Sequence, residues 1–93
     1  MKKGFFYFIG SVSAGGKLLA DNVRGTYSIK HERSLFSWNG TLDAGSAQVA
    51  KALVMAGSIE IFMFGGSPTK AIAVRADGGE STVDFYGKGP APP

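Results

Sequence analysis

His31 is the only histidine of the chain, and it is the one side chain that could serve as a general base near neutral pH. It lies in the charged stretch KHER near the end of a predicted strand, where a solvated side chain is expected. A catalytic base also needs an orienting carboxylate, for which Asp84 is the candidate. Asp77 and Glu80 are close to Asp84 in sequence, but they flank a predicted turn, where acidic residues are ordinary. We therefore predict a protein that is not an enzyme, with a His31–Asp84 pair as the catalytic alternative.

Three other patterns could bind a cofactor, a metal or a glycan. GGSPTK at 65–70 resembles a phosphate-binding loop, but it lacks the Gly-Lys-Ser/Thr ending and precedes a predicted strand instead of a helix. One histidine, no cysteine and scattered carboxylates are too few ligands for a metal site. NGT at 39–41 matches a glycosylation acceptor, which matters only in a eukaryotic secretory protein. The sequence thus predicts no cofactor and no metal.

Aromatic residues interleaved with basic ones are the remaining candidate for a binding surface. The chain has ten Lys and Arg against seven Asp and Glu, and the excess lies in residues 1–46. Proteins that bind single-stranded nucleic acid stack bases on exposed rings beside a cationic groove. The candidate binding surface consists of Lys30, Arg33, Tyr27, Trp38, Phe62, Phe64, Arg75 and Tyr86. A small domain also needs most of its rings for a core, so these residues fit a structural role as well.

Length and composition indicate a single small domain. Ninety-three residues without cysteine cannot be stabilised by disulfides, so stability must come from the core. Hydrophobic residues make up 44% of the chain, and fourteen glycines predict many tight turns between short strands. We expect residues 1–88 to form one compact α+β domain and residues 89–93 to form a flexible Pro-rich tail. No apolar run is long enough for a membrane span.

The first sixteen residues, MKKGFFYFIGSVSAGG, fit either a signal peptide or a β-strand. The strand is favoured because aromatic residues prefer strands, and because Gly4 and Gly10 disfavour the helix of a signal peptide. We therefore expect a cytoplasmic protein of a bacterial or phage-infected cell, with secretion as the alternative. In this strand Phe5, Tyr7 and Ile9 share one face, and Phe6, Phe8 and Val12 share the other. Both faces are apolar and should be covered, by the domain itself or in a subunit interface.

The rest of the chain predicts five more extended segments and one helix. Alternation marks strands in TYSIKHE, SLFSWNGTL, SIEIFMF, TKAIAVRA and STVDFYG, whereas LLADNVRG predicts a loop or a short irregular strand. Asn39-Gly40 could form a hairpin turn, but a continuous strand is favoured because TLD leaves too short a partner. AGSAQVAKALVMAG predicts an amphipathic Ala-rich helix, with Asp43 as N-cap, Ser46 nearby and Gly57 as the stop.

These elements predict an α+β fold in the order βββ-α-βββ. An antiparallel sheet of about five to six strands should pack on the single Ala-rich helix. The sheet could curl into a partly closed barrel, because its strands are short and its turns are tight.

Small, cysteine-free, strand-rich chains with one Ala-rich helix and no catalytic motif resemble proteins carried by phages and mobile elements. Anti-CRISPR and other anti-defence proteins are among them, and many act by occupying a partner's surface. By this analogy of size and class, we expect a non-enzymatic protein-binding module, an inhibitor or accessory factor. A single-stranded nucleic-acid-binding protein is the alternative. Apolar strand faces in excess of what one helix covers also predict a homodimer.

Overall fold

The computed structural model describes residues 4–32, 35–63, 67–76 and 81–89. Within these ranges, six strands and one helix follow one another in the order βββ-α-βββ. They are β1 (Gly4–Ala14), β2 (Lys17–Glu32), β3 (Leu35–Asp43), α1 (Ala47–Ala56), β4 (Ser58–Met63), β5 (Pro68–Ala76) and β6 (Thr82–Gly87). The strands pair antiparallel in the order β1-β2-β3-β6-β5-β4, and β4 returns to β1. The predicted fold class is therefore confirmed, and the curled sheet takes the form of a closed barrel.

The predicted N-terminal strand is confirmed, and it is paired on both sides in the barrel. β1 pairs with β2 along its whole length and with β4 over Gly10–Ser13, opposite Glu60–Met63. The hydroxyl of Ser13 lies 3.5 Å from Oε1 of Glu60 and donates to it across this seam. Phe8 and Val12 point into the barrel and are buried. The segment therefore contributes both backbone pairing to two strands and buried side chains to the core.

β2 is longer than the alternation of the sequence suggests. The segment LLADNVRG is extended and belongs to one strand of 16 residues, so it forms neither a loop nor a separate short strand. Its register with β1 shifts on both sides of Val12, and Asn22 adopts a positive φ of 52°. Irregularities of this kind bend a strand and increase its twist, which a small barrel needs in order to close.

Four aromatic rings form one half of the barrel interior. Phe8, Tyr27, Trp38 and Phe85 contact one another in a closed cycle, with centroid separations of 6.1, 5.9, 5.9 and 6.3 Å. Three of the four contacts are edge-on, the geometry that the ring quadrupole favours. The other half is aliphatic and includes Val12, Val23, Leu42, Leu53, Ile61 and Val83.

Two inward-facing glycines give these large rings room. A Cβ on Gly25 would lie 2.5 Å from Cζ of Phe8, and a Cβ on Gly87 would overlap the indole of Trp38. Each ring therefore occupies the volume that a side chain at the glycine of the neighbouring strand would take. Glycines at such positions permit the sharp curvature of a narrow barrel.

The helix α1 covers one end of the barrel. It contacts both β2 and β5, which lie on opposite sides of the closed sheet, so it must cross the opening between them. Ala50 and Leu53 are the residues that it buries. None of the described helical segments is long and apolar enough to cross a membrane.

The helix termini follow the predicted pattern with one correction. The N-cap is Ser46, whose Oγ accepts the Val49 N–H at 3.1 Å, and Gly57 ends the helix with a φ of 77°. The prediction of Asp43 as N-cap is wrong, because Asp43 is the last residue of β3. Its carboxylate accepts the Gly45 N–H at 2.9 Å and so orders the connection to the helix.

Candidate binding surfaces

The predicted binding residues do not form one surface. Tyr27 and Trp38 are 6% and 4% exposed and belong to the core, so the prediction that they line a binding surface needs correction. A base cannot stack on a ring whose faces are packed against other rings. Burial also raises the pKa of the Tyr27 hydroxyl above its ordinary value. Both residues occupy inward-facing positions of their strands, in which side chains alternate between the two faces of the sheet.

The other predicted residues are spread around the barrel. Lys30 on β2, Arg75 on β5 and Tyr86 on β6 are exposed, and Phe62 on β4 is half-buried. Since β2 and β5 are opposite strands of the barrel, Lys30 is separated from Arg75, whereas Arg75 and Tyr86 lie on the neighbouring strands β5 and β6. Arg33 and Phe64 lie outside the described residues.

The structure does not bring His31 and Asp84 together. His31 is opposite Phe36 in the β2–β3 ladder, and Asp84 is opposite Thr41 in the β3–β6 ladder, five positions further along β3. Five residues of strand span roughly 17 Å. Asp84 instead lies 3.8 Å from Arg75, measured from Oδ2 to Nε. In the described part of the chain, His, Asp and Glu also form no group of three that could hold a metal ion.

A strip of large apolar side chains runs along the outside of β1. We call Phe5, Tyr7 and Ile9 the outer strip; they are 65%, 74% and 50% exposed. The Phe5 and Tyr7 rings contact each other edge-on, with centroids 5.5 Å apart. Residues opposite the strip on β2 are polar, namely Ser28, Thr26 and Arg24. The strip is therefore an apolar surface with a polar border on its β2 side.

A shallow depression of about 330 Å³ lies on the far side of the barrel from β1, across β3, β6 and β5. Its floor is the backbone of Gly40 and Phe85, which are paired neighbours in the sheet. Polar side chains and two apolar ones surround that floor: Asn39, Thr41, Asp84, Val74 and Tyr86. Val74 faces outward by the alternation of β5, in which Ala71 and Ala73 are buried, and the register shift between Ala73 and Arg75 turns Arg75 outward beside Asp84. A bulge of this kind turns a side chain toward a new direction.

Sequence reasoning found the rings of the outer strip but not their exposure. The alternation in FFYFI indicates that both faces of β1 are apolar, which predicts cover on both sides. The structure covers Phe8 and Val12 of the inner face, leaves Phe6 42% exposed and leaves the outer face open, because α1 lies across one end of the barrel instead of along β1. The sequence does not predict the depression, since it forms where β3, β6 and β5 become neighbours in the folded sheet.

No protein-family model matches the sequence, and neither a curated protein nor a solved structure matches it. Function is therefore inferred from the chemistry of these two surfaces.

Proposed function

We propose that the protein is a non-enzymatic protein-binding module, an inhibitor or accessory factor that docks on its partner through the outer strip. The supporting observation is that three consecutive outward positions of β1 carry large apolar side chains that are at least half exposed. Contiguous apolar surface bordered by polar residues is typical of interaction sites. Occupation of a partner's surface is also how many small phage-borne anti-defence proteins act, and such a factor would work in the cytoplasm of a bacterial or phage-infected cell.

Burial of the outer strip can contribute several kcal/mol to a complex, and the rest of the interface must supply the remaining affinity. Phe5 and Tyr7 expose about two thirds to three quarters of their surface. Burying that area yields roughly 3 kcal/mol per ring at about 25 cal/mol per Å². Part of this gain is offset by the entropy lost on association. Two rings and Ile9 would thus act as the anchor of an interface, while the polar border sets orientation.

Nucleic acid is the less favoured partner. Two of the rings that would stack bases, Tyr27 and Trp38, are buried in the core. The cations Lys30 and Arg75 lie on opposite sides of the barrel instead of lining one groove. A base-stacking platform needs exposed rings and cations side by side.

A photo-crosslinking experiment tests the protein-binding proposal. A benzophenone amino acid replaces Tyr7 in one variant and Tyr86, on the far side of the barrel, in a matched control. We expect a specific adduct in host cells from position 7 and none from position 86. The adduct partner, once purified, should bind the wild-type protein in calorimetry and lose at least tenfold in affinity with Tyr7→Ser. Retained affinity in Tyr7→Ser would contradict the proposal.

A second experiment tests the nucleic-acid alternative. Labelled single-stranded DNA and RNA are titrated with the protein at two salt concentrations. Binding that weakens steeply with salt would favour the nucleic-acid alternative. Absence of binding at low salt is the expected result.

When no partner is present, we propose that two copies pair through the same strip as a homodimer. Closed two-fold dimers are the commonest oligomers, and an apolar strip can pack on its own copy. Sedimentation equilibrium at micromolar concentration should give a dimer for the wild type and for Tyr86→Lys, but a monomer for Tyr7→Lys. A monomeric wild type would refute self-association while leaving a foreign partner as the occupant of the strip.

A further inference from the structure

The depression on β3, β6 and β5 has a composition unlike that of the outer strip. Two apolar side chains border it, Tyr86 and Val74, which are 47% and 48% exposed. Tyr86 on β6 pairs with Asn39 on β3, the next outward pair along these two strands is Thr41–Asp84, and Val74 lies on β5 at the other side of β6. An exposed ring next to a cluster of polar groups offers a ligand both a flat apolar contact and hydrogen bonds.

The carboxylate that lines the depression has a guanidinium as its neighbour. The carboxylate of Asp84 and the guanidinium of Arg75 lie 3.8 Å apart, and their side chains are 42% and 72% exposed. The Asp84 side chain, which lines the depression, can therefore reach a ligand from the solvent. A cation would meet the guanidinium and an anion would meet the carboxylate, so neither charged class is favoured over a neutral one.

Donors and acceptors are mixed at this surface. The Asp84 carboxylate only accepts hydrogen bonds, and the Arg75 guanidinium only donates them. The hydroxyl groups of Thr41 and Tyr86 can do either. Asn39 uses its Oδ1 to accept from the Ser28 hydroxyl at 3.4 Å, which leaves its amide hydrogens as donors to a ligand. Ligand hydroxyl groups, which both donate and accept, match such a set best.

We propose that the depression binds a neutral polyhydroxylated ligand, a pyranose unit of a glycan. The Tyr86 ring packs against the C–H face of the sugar, and Val74 contacts its edge. Asp84 accepts hydrogen bonds from sugar hydroxyls, and the amide of Asn39 donates to other sugar hydroxyls. The volume of about 330 Å³ lies at the lower end for ligand sites and suits one or two sugar rings. This site is separate from the outer strip and goes beyond the proposed protein docking.

Titration with soluble trisaccharides tests this site. The ¹⁵N-labelled wild type is titrated with maltotriose, cellotriose and triacetylchitotriose up to about 50 mM, because small ligands on open surfaces bind weakly, at about 1 mM. We expect saturable amide shifts in 39–41, 74–75 and 84–86 with at least one of the three. Tyr86→Ala should lower that affinity at least tenfold, and Tyr7→Ala, on the outer strip, should leave it unchanged.

Three results would overturn the proposal. One is the lack of any saturable shift with all three sugars. Another is an unchanged affinity in Tyr86→Ala. The third is that inorganic phosphate or lysine methyl ester, used as charged probes, shifts the same amides while the sugars do not. None of these results bears on the outer strip, whose test uses position 7.

Discussion

The contact between Gly87 and the Trp38 indole makes a sharp test of how the barrel core is packed. A Cβ at position 87 would overlap the indole, and its three nearest atoms all belong to that side chain. Trp38 lies edge-on to Tyr27 and Phe85, with centroids 5.9 Å away in each case. Its Nε1 donates to the Gly89 carbonyl at 3.3 Å. Gly87→Ala must therefore displace the indole from several favourable contacts at once.

The magnitudes of the two single changes follow from this geometry. Extra volume in a packed core costs about 1–3 kcal/mol, and disturbed ring pairs add up to about 1 kcal/mol each, so Gly87→Ala should cost about 3 kcal/mol. Trp38→Leu should also cost about 3 kcal/mol, because a ring that is 4% exposed leaves a cavity behind. In the double variant the new methyl group enters that cavity. We expect a loss of about 4 kcal/mol instead of about 6, a coupling of about 2 kcal/mol.

Urea unfolding followed by far-ultraviolet circular dichroism measures all four proteins of this cycle. Trp38 is the only tryptophan, so its fluorescence in Gly87→Ala reports the displacement directly, as a red shift toward solvent-exposed emission. Val74→Ala, an exposed change on β5, gives the baseline for a surface strand position. Strictly additive losses, or a Gly87→Ala protein within about 0.5 kcal/mol of the wild type, would refute the packing described here.

Two further predictions concern the connections of the helix. Ser46→Ala should lower the free energy of unfolding by about 1 kcal/mol in thermal melts, because the Val49 N–H loses its acceptor. The exposed control Ser58→Ala should change the melting temperature little. Equal melting temperatures for the two variants would count against the cap. Hydrogen bonds from Ser81 and from the Gly45 N–H lower the pKa of Asp43 below its ordinary value of 3.8. The ionised Asp43 carboxylate therefore stabilises the fold above its ordinary pKa, and this stabilisation is lost as pH falls through the lower pKa of the folded state. Asp43→Asn should make the free energy of unfolding depend less on pH below about pH 4. An unchanged pH dependence in this variant would contradict the prediction.

The alternation of apolar residues is enough to predict most strands and the class of the fold. It works because a strand with one buried face repeats with a period of two, and a surface helix repeats with a period near 3.6. It fails at LLADNVRG, where the positive φ of Asn22 and the register shift interrupt the period within one long strand. Barrel closure is predicted only as one form of the sheet. It depends on β4 returning to pair with β1, with Glu60–Met63 opposite Gly10–Ser13, a contact between distant segments that no local pattern encodes.

The candidate sites are less predictable than the fold. A ring in an alternating strand lies either in the core or in solvent, and the choice depends on which neighbours the strand acquires. Tyr27 and Trp38 are buried because the rings of other strands surround them. Tyr7 is exposed because α1 is placed at the end of the barrel, away from the outer face of β1. Sequence supplies the residue types at a site, but the topology decides their exposure.

The seam between β1 and β4 has a consequence for synthesis of the chain on the ribosome. β1, β2 and β3 are neighbours in sequence and can pair as soon as residue 43 has emerged. The seam needs Glu60–Met63 as well, and these residues follow roughly 1–4 s later at translation rates of about 5–20 residues per second. During that interval the nascent sheet exposes the Phe8 face together with the outer strip, both of them apolar. Because Phe8 also packs on Phe85 of β6, slow translation of residues 44–87 prolongs the exposure of these apolar faces, however stable the finished barrel is.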